Sequence, residues 1–203
     1  MSKRALWPVM AVLAVAVSLY AAALLVAPDL RPPFLRTSPL PVALMVHFGG
    51  AALALAAGPF QLKTGPRARR SPVHRLLGRV YVLAILASGI AGFAMAFVSQ
   101  GGVPAHAGFA LLAVGWLGTT TQAFLSIRRG EVLAHQRWMT RSFALTFAAV
   151  TLRVYVPLSV AVGIPFDVAY PVIAWACWVP NLLVAEWLFV PRSRLRAHGA
   201  ALG

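Results

Sequence analysis

Acidic residues are scarce in this chain of 203 residues, which has four Asp and Glu against 18 Lys and Arg. Only 11% of the residues are charged, whereas a soluble globular domain carries about 25%. This shortage of charge argues against a water-soluble domain. Hydrophobic residues make up 60% of the chain, and this composition predicts an integral membrane protein.

Cysteine and the common catalytic motifs are also scarce or missing. Because Cys177 is the single cysteine, no internal disulfide can form, and without a C-x-x-C-H motif covalent c-type haem attachment is excluded. The sequence contains no H-E-x-x-H, no P-loop and no G-x-S-x-G motif. It also offers no nucleophile with a credible base beside it. No catalytic residue is therefore assigned.

Long apolar runs dominate the sequence. A membrane-spanning helix needs ~20 mostly apolar residues, and six stretches meet this length: 6–27, 41–62, 73–98, 105–127, 136–158 and 168–190. The first stretch exceeds the ~7–15 residues of a signal-peptide core and lacks a convincing cleavage site, so we expect it to be retained. The sequence predicts an all-α polytopic membrane bundle, a single domain over 1–203, with a four-helix core from helices 2–5.

The basic residues predict the orientation of the chain. Lys and Arg crowd the cytoplasmic side of membrane proteins. With the N-terminus inside, only Arg31 and Arg36 lie outside, Arg153 lies at membrane depth, and every other Lys and Arg lies on the cytoplasmic side. We therefore expect a bacterial inner-membrane protein with both termini cytoplasmic. The net charge of +14 then indicates contact with the lipid bilayer and needs no nucleic acid partner.

Four of the five histidines follow a regular pattern. His47 and His106 are expected in the outer halves of helices two and four, and His74 and His135 at the inner ends of helices three and five. Neutral imidazole is the commonest protein ligand of haem iron, and facing helices of a bundle can hold a cofactor between them. The pattern predicts one or two b haems. Interfacial histidines with a purely structural role are the alternative, and the small residues near His47 and His74 fit either a macrocycle or close helix packing.

Polar residues inside the apolar runs are the remaining candidates. Arg153 is costly at membrane depth, by ~2.5–3.5 kcal/mol on insertion scales, and is expected to face a haem propionate. The alternatives are a pair with Asp167 or bonds to backbone carbonyls. Arg141 and Glu186 lie at matching levels and are predicted to form an ion pair between helices five and six. Asn181 follows a proline and is expected to satisfy backbone groups near it.

Several longer motifs resemble a known family. Over about residues 40–190 the chain carries H-F-G-G-A-A-L, H-R-x-x-G-R, H-x-R-W-M-x-R-S and P-N-L-x-x-A-E-W. These motifs resemble the bacterial membrane family catalogued as domain of unknown function 2306. The resemblance implies a multi-span membrane protein and brings no settled activity.

The layout of the histidines is also similar to that of the two-haem transmembrane cytochromes b of the ascorbate-reducible type. That resemblance implies that His47, His74, His106 and His135 are axial ligands of haem b. The protein would then pass electrons from a quinol or another small reductant to an acceptor across the membrane. This chain differs from those cytochromes in that Arg75 and Arg137 closely follow the inner histidines, His74 and His135.

A second function stays open from the sequence. A haem-free membrane protein, either a small transporter or an assembly factor, would use the Arg141–Glu186 pair and Arg153 to line a polar path or to fix helix packing. A homo-oligomer is compatible with either function.

Overall fold

The computed structural model describes residues 3–31, 33–62 and 71–190, and this part of the chain is helical with no strand. Six helical segments within it are long and apolar enough to cross a membrane. The main helices are α1 (Lys3–Val26), α2 (Pro33–Arg36), α3 (Pro41–Leu62), α4 (Pro72–Ala96), α5 (Gly102–Arg128), α6 (Val132–Thr146), α7 (Ala148–Ala161), α8 (Phe166–Ala176) and α9 (Val179–Val184). The predicted all-α membrane fold is confirmed.

The predicted spans agree closely with these helices. The second span has the predicted bounds, Pro41–Leu62, and the fourth is longer than predicted at both ends, Gly102–Arg128. At the start of α4 the Ser71 hydroxyl accepts a hydrogen bond from the His74 amide, with Pro72 in the first turn. A serine followed by a proline is the sequence pattern of a helix N-cap, and here it fixes where the third span begins.

Orientation in the membrane stays a prediction from the charge pattern. The basic segment 63–70 and both termini, 1–2 and 191–203, lie outside the described residues. The end of the bundle formed by segments 27–40, 97–101 and 162–165 is called the outer end below, following that prediction.

The fifth and sixth spans are interrupted, which the apolar patterns did not indicate. The fifth consists of α6 and α7, which meet at Phe147. Just before this junction Thr146 bonds back to the Ser142 carbonyl at 2.9 Å, an interaction that often bends helices. The sixth span turns at Cys177 and Trp178 between α8 and α9, since Pro180 lacks a backbone donor. A π-helical turn, Ala185–Phe189, follows α9.

The core lies where the sequence placed it. One buried cluster draws its residues from α3, α4, α5 and α6, the second to fifth spans, and these residues are Ala54, Ala57, Tyr81, Ala84, Ile85, Trp116, Ala123, Met139 and Leu145. A second cluster joins α1 and α7 to this core through Ala14, Leu55, Phe143 and Val150.

Glycines allow these helices to approach closely. A Cβ atom at Gly50 of α3 would lie 2.6 Å from the Ala84 carbonyl oxygen of α4, and one at Gly58 would lie 2.2 Å from the Phe143 ring. Close packing, one of the two interpretations of the small residues, therefore holds at both positions.

Candidate functional site

A cavity of about 660 Å³ lies within the bundle toward the outer end. Its size is within the range of about 300–1,000 Å³ typical of small-molecule sites. Helices α1 to α8 all contribute to the wall, which is mainly aliphatic and aromatic, with Phe48, Leu112 and Trp116 among its residues. This apolar wall also contains the imidazole of His47 and the guanidinium of Arg153.

A reciprocal pair of hydrogen bonds orients His47. Its Nδ1–H donates to the Ser88 carbonyl at 2.9 Å, and the Ser88 hydroxyl donates to the His47 carbonyl at 2.7 Å. Because Nδ1 carries the proton in this arrangement, Nε2 of the neutral ring keeps its lone pair. Nε2 is therefore the nitrogen able to accept a hydrogen bond or bind a metal.

Neighbouring residues restrict the His47 ring further. A Cβ atom at Gly92 would lie 2.7 Å from Nδ1 and 2.9 Å from Cε1. On another side the Trp116 ring meets the imidazole edge to face, with centroids 6.5 Å apart. Glycine at position 92 is thus what leaves room for this imidazole.

Arg153 is held by weak partners. One terminal nitrogen donates to the Ala149 carbonyl of the preceding turn at 2.9 Å. The guanidinium carbon lies 5.7 Å from the ring centre of Tyr20 and 5.8 Å from that of Phe48, which are cation–π distances. In the described chain no carboxylate pairs with Arg153. Of the two alternatives to a propionate, the bond to a backbone carbonyl is present and a pair with Asp167 is absent from the described chain.

The other three candidate histidines do not line this cavity, which includes His47 alone of the four. His106 donates from Nε2 to the Ser99 carbonyl at 2.8 Å. His135 donates from Nδ1 to the Ala123 carbonyl at 2.8 Å, which leaves its Nε2 unprotonated in the neutral ring. The amide of His74 is bonded within the N-cap, and its carbonyl accepts from Gln61 at 3.1 Å. No hydrogen bond or ring contact in the described chain joins His47 to His106.

A buried hydroxyl network lies beside the cavity. The Tyr81 hydroxyl is 3.0 Å from both the Ser142 and the Thr146 hydroxyls, and Ser142 is 2.7 Å from the Thr120 hydroxyl. Trp116 donates its indole N–H to Thr146 at 2.9 Å. This network connects α4, α5 and α6. The sequence reasoning missed Tyr81, Ser142 and Thr146, although Ser142 and Thr146 have the spacing of one helical face.

The Arg141–Glu186 ion pair is present. Nε and one terminal nitrogen of Arg141 donate to the two carboxylate oxygens of Glu186 at 2.9 and 2.8 Å. The guanidinium also lies 4.7 Å from the Trp138 ring centre. This two-bond geometry joins α6 to the π-helical turn after α9 and is the stronger form of the Arg–carboxylate contact.

Asn181 forms hydrogen bonds at the point where the sixth span is interrupted. Its side-chain amide donates to the Cys177 carbonyl at 2.9 Å and to the Thr151 hydroxyl at 3.1 Å. Thr151 itself donates to the Cys177 carbonyl. Polar groups from α7 and α9 therefore satisfy backbone that the break in the sixth span leaves open, as expected for broken membrane helices.

These features define a polytopic membrane protein with an internal, largely apolar cavity. The chain belongs to the family of predicted membrane proteins known as DUF2306, whose model matches residues 44–189. Comparison with curated proteins and with solved structures finds no match. The similarity to two-haem cytochromes b consequently gains no support from these comparisons.

Proposed function

We propose that this protein binds one haem b in the outer cavity and carries electrons within the membrane. The observation that carries this proposal is that His47, whose Nε2 is unprotonated, and Arg153 both line one apolar cavity. His47 would be an axial ligand and Arg153 would face a propionate. Bound haem would supply the one-electron redox chemistry.

The surroundings of His47 fit a metal ligand. Imidazoles that bind metal usually donate their other N–H to a carbonyl or carboxylate, which fixes the tautomer and the ring orientation. Ser88 supplies such a carbonyl to Nδ1, and Gly92 leaves room for the ring. Phe48 and Trp116 provide apolar surface for a macrocycle, and Arg153 would offset negative charge away from water.

The histidine pattern predicted His106 as the second ligand of the outer haem. His106 donates from Nε2 to the Ser99 carbonyl and is not in the cavity wall. The haem proposed here therefore relies on His47 alone among the four histidines. A second haem between His74 and His135 stays a prediction from the sequence, supported at His135 by a free Nε2.

A haem-free transporter or assembly factor is the second candidate, and the broken helices favour it. Transporters often form their substrate sites where membrane helices are interrupted. Here Thr146 and Ala148 flank the break in the fifth span, Cys177 lies at the break in the sixth, and all three line the cavity. The same cavity would then hold a transported molecule.

A visible spectrum separates the two candidates. The detergent-purified protein, expressed with a haem precursor, is expected to show a sharp b-type α band in a reduced-minus-oxidised spectrum. His47→Ala should remove the band of the outer haem, whereas His106→Ala, the matched control, should leave it. A water-soluble quinol should reduce the haem if quinol is the electron donor.

A flat spectrum from well-folded protein would reject the cytochrome proposal and favour the haem-free candidate. A band that is lost in His106→Ala and kept in His47→Ala would reject the assignment of His47.

A further inference from the structure

The outer cavity carries a positive charge that no carboxylate of the described chain pairs with, and this charge indicates the class of ligand. Arg153 brings a positive charge into the cavity wall, and its partners in the described chain are one backbone carbonyl and two aromatic rings. A guanidinium has several N–H donors arranged to meet a carboxylate with two parallel bonds. Most of these donors find no acceptor in the described protein.

We infer that the outer cavity binds a single-chain amphiphile whose head is a carboxylate, with Arg153 meeting the head and the apolar wall holding the chain. This inference rests on the cavity of the proposed function, and it names the class of ligand without requiring haem.

A monovalent head matches the charge available. Among the described residues that line the cavity, Arg153 is the single Lys or Arg, and none is Asp or Glu. An uncompensated charge away from water costs several kcal/mol by order of magnitude. A carboxylate would neutralise the guanidinium, whereas a doubly charged phosphate would leave a net negative charge.

His47 also lines the cavity but gives a carboxylate no donor. Its Nδ1–H is committed to Ser88, so Nε2 acts as an acceptor and offers no hydrogen bond to an anion. A carboxylate is consequently directed to Arg153, and a hydroxyl or a metal ion carried by the ligand is directed to His47.

The cavity reaches the lipid-facing surface of the bundle. Tyr20 of α1 lines the cavity and is also 48% exposed, and its ring lies against the Arg153 guanidinium. An amphiphile in the membrane therefore meets the arginine beside the first helix, which indicates a ligand that comes from the membrane.

The test compares palmitate with hexadecanol, which share a chain length and differ in the head. Binding of each radiolabelled probe to the wild-type protein in lipid nanodiscs is measured without added haem precursor. Palmitate is expected to bind about tenfold more tightly, a difference of about 1.4 kcal/mol. Equal affinity, or tighter binding of hexadecanol, would overturn the inference without any variant.

Three variants assign the preference to one residue. Arg153→Gln should lower palmitate affinity to that of hexadecanol, Arg153→Lys should keep part of the preference, and Arg129→Gln, at the opposite end of the bundle, should change nothing. A preference that survives Arg153→Gln would overturn the inference.

The two proposals fail separately. Arg153-dependent palmitate binding together with a flat haem spectrum rejects the cytochrome and keeps the carboxylate site. A haem spectrum together with equal binding of palmitate and hexadecanol rejects the carboxylate site and keeps the cytochrome.

Discussion

Ser88 and His47 exchange hydrogen bonds between α4 and α3. The His47 ring donates to the Ser88 carbonyl at 2.9 Å, and the Ser88 hydroxyl donates to the His47 carbonyl at 2.7 Å. Ser88 is fully buried, so these bonds form away from water. One residue therefore both joins two helices and sets the tautomer of the imidazole that lines the cavity.

Ser88→Ala is expected to lower the free energy of unfolding by about 0.6–1.7 kcal/mol, the range of interhelical hydrogen bonds in membranes. Palmitate binding should be kept, because the Ser88 carbonyl that holds the His47 ring belongs to the backbone and remains in the variant. Unfolding by denaturing detergent, followed by circular dichroism, measures the first effect.

Ser126→Ala is the matched control for Ser88→Ala. The Ser126 hydroxyl is buried and has no hydrogen-bond partner, so removing it should leave the stability unchanged or slightly higher. If Ser88→Ala and Ser126→Ala were equally destabilised, loss of the hydrogen bond from the Ser88 hydroxyl to the His47 carbonyl would not be the cause.

Gly50→Ala should disturb the packing of α3 on α4. The added methyl group would lie 2.6 Å from the Ala84 carbonyl oxygen, and backbone cannot move aside as a side chain can. Overpacking of this kind costs about 1–3 kcal/mol. Gly118→Ala, with nothing within 4 Å of the new Cβ, should be neutral or stabilising. The same detergent titration compares them, and equal stabilities would refute the close approach.

Tyr81→Phe should destabilise the junction of α4 with α6, because it removes one hydroxyl that contacts both Ser142 and Thr146. The expected loss in the free energy of unfolding is about 1–2 kcal/mol. Tyr155→Phe is the control, since the Tyr155 hydroxyl makes no hydrogen bond in the described chain. If Tyr155→Phe lowered the free energy of unfolding by as much, the loss in Tyr81→Phe would not come from its hydrogen bonds to Ser142 and Thr146.

The Arg141–Glu186 pair can be measured with a double-mutant cycle. Its side chains are 22% and 44% exposed, so we expect a coupling of at most about 1 kcal/mol between Arg141→Gln and Glu186→Gln. Strictly additive effects would mean that the pair does not contribute. A parallel cycle on Arg129 and Glu131, both more exposed, should show less coupling.

The Arg129–Glu131 contact lies between two spans and offers a test in water. The hydrogen bond from Arg129 lowers the pKa of the Glu131 carboxyl. Because the folded pKa is depressed, any stabilisation is present above the ordinary Glu range and is lost as the pH falls through the lowered value. In Arg129→Gln the pKa of Glu131 should rise toward its ordinary value, which an NMR titration of a labelled glutamate would show. An unchanged titration would contradict the contact.

Part of the candidate site was predictable and part was not. Spacing along the sequence predicts the Ser71 cap and the matching membrane depths of Arg141 and Glu186. It also predicts that Arg153 lies inside the fifth span. The sequence also predicted that His47 and His106 would pair, but His106 bonds to Ser99 and lies outside the cavity wall. Periodicity assigns a residue to a face of its own helix and does not state which residues of another helix it meets.

The sequence by itself determined that this chain crosses the membrane, where its six spans begin and end to within about four residues, and which four spans form the core. These properties depend on hydrophobic length and local capping, which are encoded along the chain. Tertiary structure alone decided that the fifth and sixth spans break side by side, that Ser88 fixes the His47 ring, and that Arg153 lines a cavity to which no described carboxylate contributes. Each depends on contacts between residues far apart in sequence, where a shift of one helix by a fraction of a turn would change the partner.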